Sequence, residues 1–63
     1  MIMESPSPSD VRAARLAEGL TLAAASALIH SRWRSWQNWE AGTRRMHPAM
    51  WELFLIKTHR LKQ

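Results

Sequence analysis

The sequence predicts an all-α domain of four short helices, and three observations carry the prediction. No run of β-branched residues alternates with polar ones, so strands lack their usual pattern. Helix stops and starts recur at short intervals, at Gly19, Gly42 and Pro48. Between those marks apolar side chains return at helical spacing, as Trp36 does with Trp39, the pattern one face of a helix requires.

The chain opens with a Ser/Pro tract, Ser5-Pro6-Ser7-Pro8-Ser9. Proline drives the residue before it out of the helical region, so residues 1–9 are expected to form a flexible arm. Ser9 or Asp10 is the expected N-cap of helix 1, which spans about residues 10–18 with Val11, Leu16 and Leu20 as anchors. Gly19 ends it, since glycine takes the left-handed conformation without penalty. Thr21 is the expected cap of helix 2, about Leu22 to Ile29, whose alanines allow a close neighbour. A weakly marked turn at His30-Ser31 leads to helix 3, from Arg32 or Trp33 to Ala41, with Gly42 as its stop. Trp36 and Trp39 face inward there; Arg34, Gln37, Asn38 and Ala41 point the other way. A basic loop, Thr43 to His47, precedes helix 4, which begins at Pro48 and runs to about Thr58. Helix 4 is apolar nearly all round, so one side is expected to face the core and the other a second subunit. The domain is therefore read as residues 10–58, with a basic tail over 59–63.

Composition narrows the function. The chain has 63 residues, 46% of them hydrophobic, and no cysteine. That is one small domain, too apolar for a disordered segment. Domains of this size usually need a disulfide, a metal or a partner subunit; lack of cysteine leaves oligomerisation, and fits a cytoplasmic protein. No apolar run reaches the ~20 residues of a membrane span, and the first residues lack the pattern of a signal peptide. The net charge of +4 is unevenly placed: residues 1–31 carry −1 and residues 32–63 carry +5. A basic half points to a polyanionic partner. No Ser/His/Asp set, carboxylate pair or Gly-rich phosphate loop is present, so no enzymatic activity is expected. His30, His47 and His59 lack the spacing of a helical metal site. No metal, cofactor or small-molecule ligand is expected.

Gly19-Leu20-Thr21, the Ala-rich helix ending Leu28-Ile29, and Trp36-Gln37-Asn38-Trp39-Glu40-Ala41-Gly42 stand in order and spacing. Together they resemble the helix-turn-helix of the Cro/phage-repressor (Xre) family over about residues 10–57. The resemblance implies a four-helix, lambda-repressor-like fold that places helix 3 in the major groove of double-stranded DNA. It implies base contacts at Trp33, Arg34, Gln37 and Asn38. Arginine suits guanine, and glutamine or asparagine suits adenine. It implies phosphate contacts at Thr21, Arg32, Ser35, Thr43, Arg44 and Arg45. Arg15 and Glu40 match a structural ion pair of the family. Two departures stand out: Leu22 replaces the usual glutamine, and Arg32-Trp33 replaces a small polar start to helix 3. Trp33 either stacks on DNA or covers the helix.

These readings together give a homodimeric repressor on a palindromic operator, joined through Trp51, Phe54, Leu55 and Thr58 of helix 4. A chain so short leaves no room for an effector domain, so autoregulation is expected. Its size is similar to stand-alone phage or mobile-element regulators, including the small repressors encoded beside anti-CRISPR genes. An antitoxin repressing its own operon shares the architecture. The alternative class is a protein-interaction module that keeps the helix-turn-helix as scaffold. A basic membrane-surface helix is a third.

Overall fold

The computed structural model describes residues 4–60 and contains four α-helices: α1 (Pro8–Ala17), α2 (Leu22–Leu28), α3 (Trp33–Ala41) and α4 (Pro48–Lys57). The all-α, four-helix prediction matches this architecture. No strand occurs among the described residues.

Helix α1 starts two residues earlier than expected. Its N-cap is Ser7, not Ser9 or Asp10. The Ser7 hydroxyl accepts from the Asp10 N–H, while the Asp10 carboxylate accepts from the Ser7 N–H at 3.4 Å. This reciprocal box needs a carboxylate three residues after the cap, which only Ser7 has. Pro8 then fills the first helical position, where a missing N–H costs nothing. The expected arm thus ends at Ser7, and Pro8 Cγ approaches the Cβ position of Gly42 within 3.4 Å. The arm's first residues, Met1 to Met3, lie outside the described residues.

All four helices stop in one way, with a left-handed residue followed by an N–H reaching back to a carbonyl of the last turn. Gly19 (φ +68°) and Gly42 (φ +82°) serve α1 and α3; His30 (φ 59°) and His59 (φ 63°) serve α2 and α4. The returning bonds are Leu20 N–H to Arg15 O, Ser31 to Ser26, Thr43 to Asn38 and Arg60 to Leu55. Helix α2 therefore ends at Leu28, with Ile29 as its cap. In the basic tail, Arg60 Nε donates to Glu18 at 2.9 Å. The rest of that tail, residues 61–63, is outside the described range.

Trp36, Phe54, Met46, Val11, Ile29 and Ala25 form the centre of the core, with Trp39 beside them. Trp36 meets Phe54 edge-on, with ring centroids 4.8 Å apart, an arrangement that suits the ring quadrupoles. Helix α3 packs mainly on α2 and then on α1. The small residues Ala25 and Ser26 are buried on α2 and permit that approach. The Ser26 hydroxyl, buried with them, donates to the Ala23 carbonyl at 3.0 Å.

Three expectations about apolar residues are corrected. Leu16 is not an anchor: it is 52% exposed, because helical rotation sends it away from the face shared by Val11 and Ala14. Met46, read as part of a basic loop, is 1% exposed and closes the core between α3 and α4. Phe54, read as a subunit contact, is 0% exposed. Beside it Trp51, part-buried, stacks on Phe54 at 6.3 Å and packs against the core. The Thr58 hydroxyl donates back to the Phe54 carbonyl at 2.8 Å. Of the four predicted contact residues, Phe54 alone is enclosed; Trp51, Leu55 and Thr58 are part-buried, with Leu55 on the outer face of α4. Ile56 and Glu52 share that outer face.

Candidate nucleic-acid interface

Helix α3 sorts its side chains by charge as well as by polarity. Trp36 and Trp39 point into the core. Glu40, the one acid on the helix, is held inward by Arg15 of α1. Two guanidinium nitrogens of Arg15 donate to the two carboxylate oxygens, Nη2 at 3.0 Å. Nη1 donates to the Leu20 carbonyl at 3.0 Å. The Trp36 indole donates to Glu40 Oε2 at 2.6 Å. One carboxylate therefore ties α1, the loop after it and α3 into a unit. Burial pushes the Glu40 carboxyl up, but hydrogen bonds from Arg15 and Trp36 and the nearby arginine charge outweigh that. The net effect holds it below the ordinary carboxylate range, so it remains ionised. Its bond to Glu40 raises the Arg15 guanidinium further, against the opposing effect of burial.

With Glu40 turned in, the solvent side of α3 carries Trp33, Arg34, Gln37 and Ala41, all exposed, and no carboxylate. The Arg34 guanidinium carbon lies 5.3 Å from the Trp33 ring centroid, within cation–π range. Trp33 is 46% exposed and so offers one ring face to Arg34 while remaining open to solvent. Asn38 is half-buried rather than freely presented. Its Oδ1 accepts from the Thr43 hydroxyl at 3.2 Å, and its backbone carbonyl takes the Thr43 N–H at the helix stop. Adenine recognition by asparagine uses both ends of the amide; here one end already has a partner, and Nδ2 is the end left for an incoming edge.

The residues expected to meet phosphate fall into three places. Thr21 caps α2: its hydroxyl accepts from the Ala24 N–H at 3.1 Å, which leaves its proton to donate outward. Arg32 is the N-cap of α3 but makes no side-chain cap bond. The first amides of α3 therefore have no side-chain acceptor, the condition under which a helix start favours an anion. Arg32 lines a groove with Ala23, Ser26, Ser31, Trp33 and Arg34. Ser35, Thr43, Arg44 and Arg45 come together in a second cleft, beside the start of α4. That cleft also contains Ser31 and His47, which the resemblance did not single out. Only the observed rotation of α3 and the path of the following loop bring them there.

Among the described residues, no group of three His, Cys, Asp or Glu could hold a metal ion. No helix among them is long and apolar enough to cross a membrane. Compared with models of protein families and with curated proteins, the chain matches none.

Proposed function

We propose that the protein is a sequence-specific DNA-binding transcription regulator, acting as a homodimeric repressor of its own operator. One observation carries the reading: the outward side of α3 presents Arg34 and Gln37 with no acid, while Glu40 is paired inside with Arg15. Arg32, Arg44 and Arg45 are exposed around that face, so polyanion attraction and base-edge chemistry coincide. A helix of this width fits the major groove. The partner subunit meets the outer side of α4, at Leu55 and Ile56, and two copies of α3 then reach major grooves about 34 Å apart. Repression follows from occupying the promoter.

Fluorescence anisotropy with the DNA upstream of the protein's own gene tests this, beside a scrambled duplex and at two salt concentrations. Binding at least ~10³-fold tighter to the native site is the expected outcome. Equal, weak and salt-sensitive binding to both duplexes would reject it. A second reading, a protein-binding module on the same scaffold, draws support from the half-exposed Trp33 and the engaged Asn38 amide. It predicts that weak outcome together with a protein partner seated on Trp33.

A further inference from the structure

The Arg44–Arg45 pair borders two clefts of opposite character. One runs along the arm and includes the Glu4 carboxylate with Ser5, Ser7 and Trp39. The other lies between α3 and α4 and is lined by Ser31, Ser35, Thr43 and His47. The first brings an anion against a carboxylate. The second offers it the Ser31 and Ser35 hydroxyls, guanidinium groups and an imidazole, with no acid in the lining; the Thr43 hydroxyl already donates to Asn38.

His47 has a defined role at the edge of that second cleft. It is the N-cap of α4, and its Nδ1 accepts from the Ala49 N–H at 3.0 Å. An accepting nitrogen carries no proton, so the neutral ring must hold its proton on Nε2. The cap thereby selects a tautomer whose remaining nitrogen is a donor. We infer that this cleft seats one DNA backbone phosphate and that His47, through Nε2–H, is one of the donors to it. The inference rests on the DNA-binding reading for its ligand. It adds a residue and a chemical state that the reading does not contain. His47 contributes as a neutral donor, whereas Arg44 and Arg45 contribute charge.

Two substitutions separate the ring's two ends. Asparagine supplies an oxygen near the Nδ1 position and is a favoured cap, so His47→Asn keeps the helix start and loses the outer donor. Glutamine places an amide N–H near the Nε2 position, so His47→Gln keeps the donor and weakens the cap. With the full chain, nitrogen NMR of the imidazole should show the Nε2–H tautomer. In anisotropy with a duplex, His47→Asn should bind about tenfold more weakly, the size of one hydrogen bond to a charged group. Because no ionic contact is lost, the slope of affinity against salt should not change. His47→Gln should bind within about threefold of the native chain and melt at a lower temperature. An Nδ1–H tautomer, or native affinity in His47→Asn, overturns the inference.

Titration with inorganic phosphate separates the two possible failures. If the native chain binds no duplex, the DNA reading falls. Saturable shifts at His47 and Thr43 that duplex does not compete away then assign the cleft to a free anion, which overturns the phosphodiester seat. Absence of shifts with either ligand overturns the site itself. Shifts that duplex DNA competes away, and that His47→Asn lacks, support it.

Discussion

Arg15→Met removes the cation that holds Glu40, and the structure sets the size of the loss. The two side chains are only 14% and 11% exposed. Substitution deletes both bonds from Arg15 to the carboxylate and the one to the Leu20 carbonyl. Glu40 would keep one donor, the Trp36 indole. Breaking a buried ion pair from one side costs about 3–5 kcal/mol. The residual exposure and the surviving indole bond place this case near the lower end, at about 3 kcal/mol. A domain of this size has roughly 3–9 kcal/mol in all, and each kcal/mol moves Tm by about 4–8 °C. The variant should therefore melt at least ~12 °C lower, as followed by circular dichroism. Adding Glu40→Gln removes the stranded charge yet leaves an acceptor for the indole, so the double variant should recover part of the loss.

The native pH dependence has a fixed sign. Glu40 is lowered in the fold, so its contribution is complete above the unfolded carboxylate value and disappears as pH falls through the folded one. Acid should weaken the native chain in the window below the ordinary carboxylate range, and Glu40→Gln should flatten that part of the curve. An Arg15→Met chain that melts within about 3 °C of native, or strictly additive costs in the double variant, would refute the coupling of α1 to α3 through Glu40.

Other substitutions address separate parts of the molecule. Arg34→Ala should cost about 1–3 kcal/mol of specific binding and relax preference at one base pair; equal weakening on every sequence would remove it as a base reader. Arg44→Ala should lower affinity on all sequences and reduce the salt slope by about one unit, as read by anisotropy over a salt series. Met46→Ala should destabilise by about 2–5 kcal/mol in urea, since the side chain is fully enclosed. Ile56→Glu should remain folded and sediment as monomer, whereas Phe54→Glu should fail to fold because a lone charge would replace a core ring.

The sequence was readable where one residue type is chemically required. Gly19 and Gly42 mark left-handed stops, Thr21 caps α2 and Pro48 opens α4. It was less readable where several residues satisfy the same rule. Three serines alternate with proline near the start, and only the reciprocal bond with Asp10 selects Ser7. His30 and His59 take a conformation that glycine usually announces, so neither stop carries a strong local mark. Histidine is among the few other residues enriched there. Helix α4 was hardest, because apolar residues on every side hide which face turns inward. Phe54 faces the core where the pattern suggests a subunit contact, and Met46 has no apolar neighbour in its loop to mark it as core. At the candidate interface, the pattern on α3 separates its wet face from its core face. It could not reveal that Thr43 folds back onto Asn38, a contact made only after the chain turns at Gly42.

The four tryptophans, placed in unlike surroundings, have a spectroscopic consequence. Trp36 is enclosed and bonded to a carboxylate, Trp39 is nearly enclosed, Trp51 is partly covered, and Trp33 stands half in solvent under a guanidinium. The molecule thus contains its own set of optical reporters. Emission from Trp36 and Trp39 follows the integrity of the fold, while an external quencher reaches Trp33 first. A ligand that settles on α3 should shield that one indole and leave the enclosed pair dark to the quencher, so occupancy and unfolding can be told apart in a single cuvette without a label.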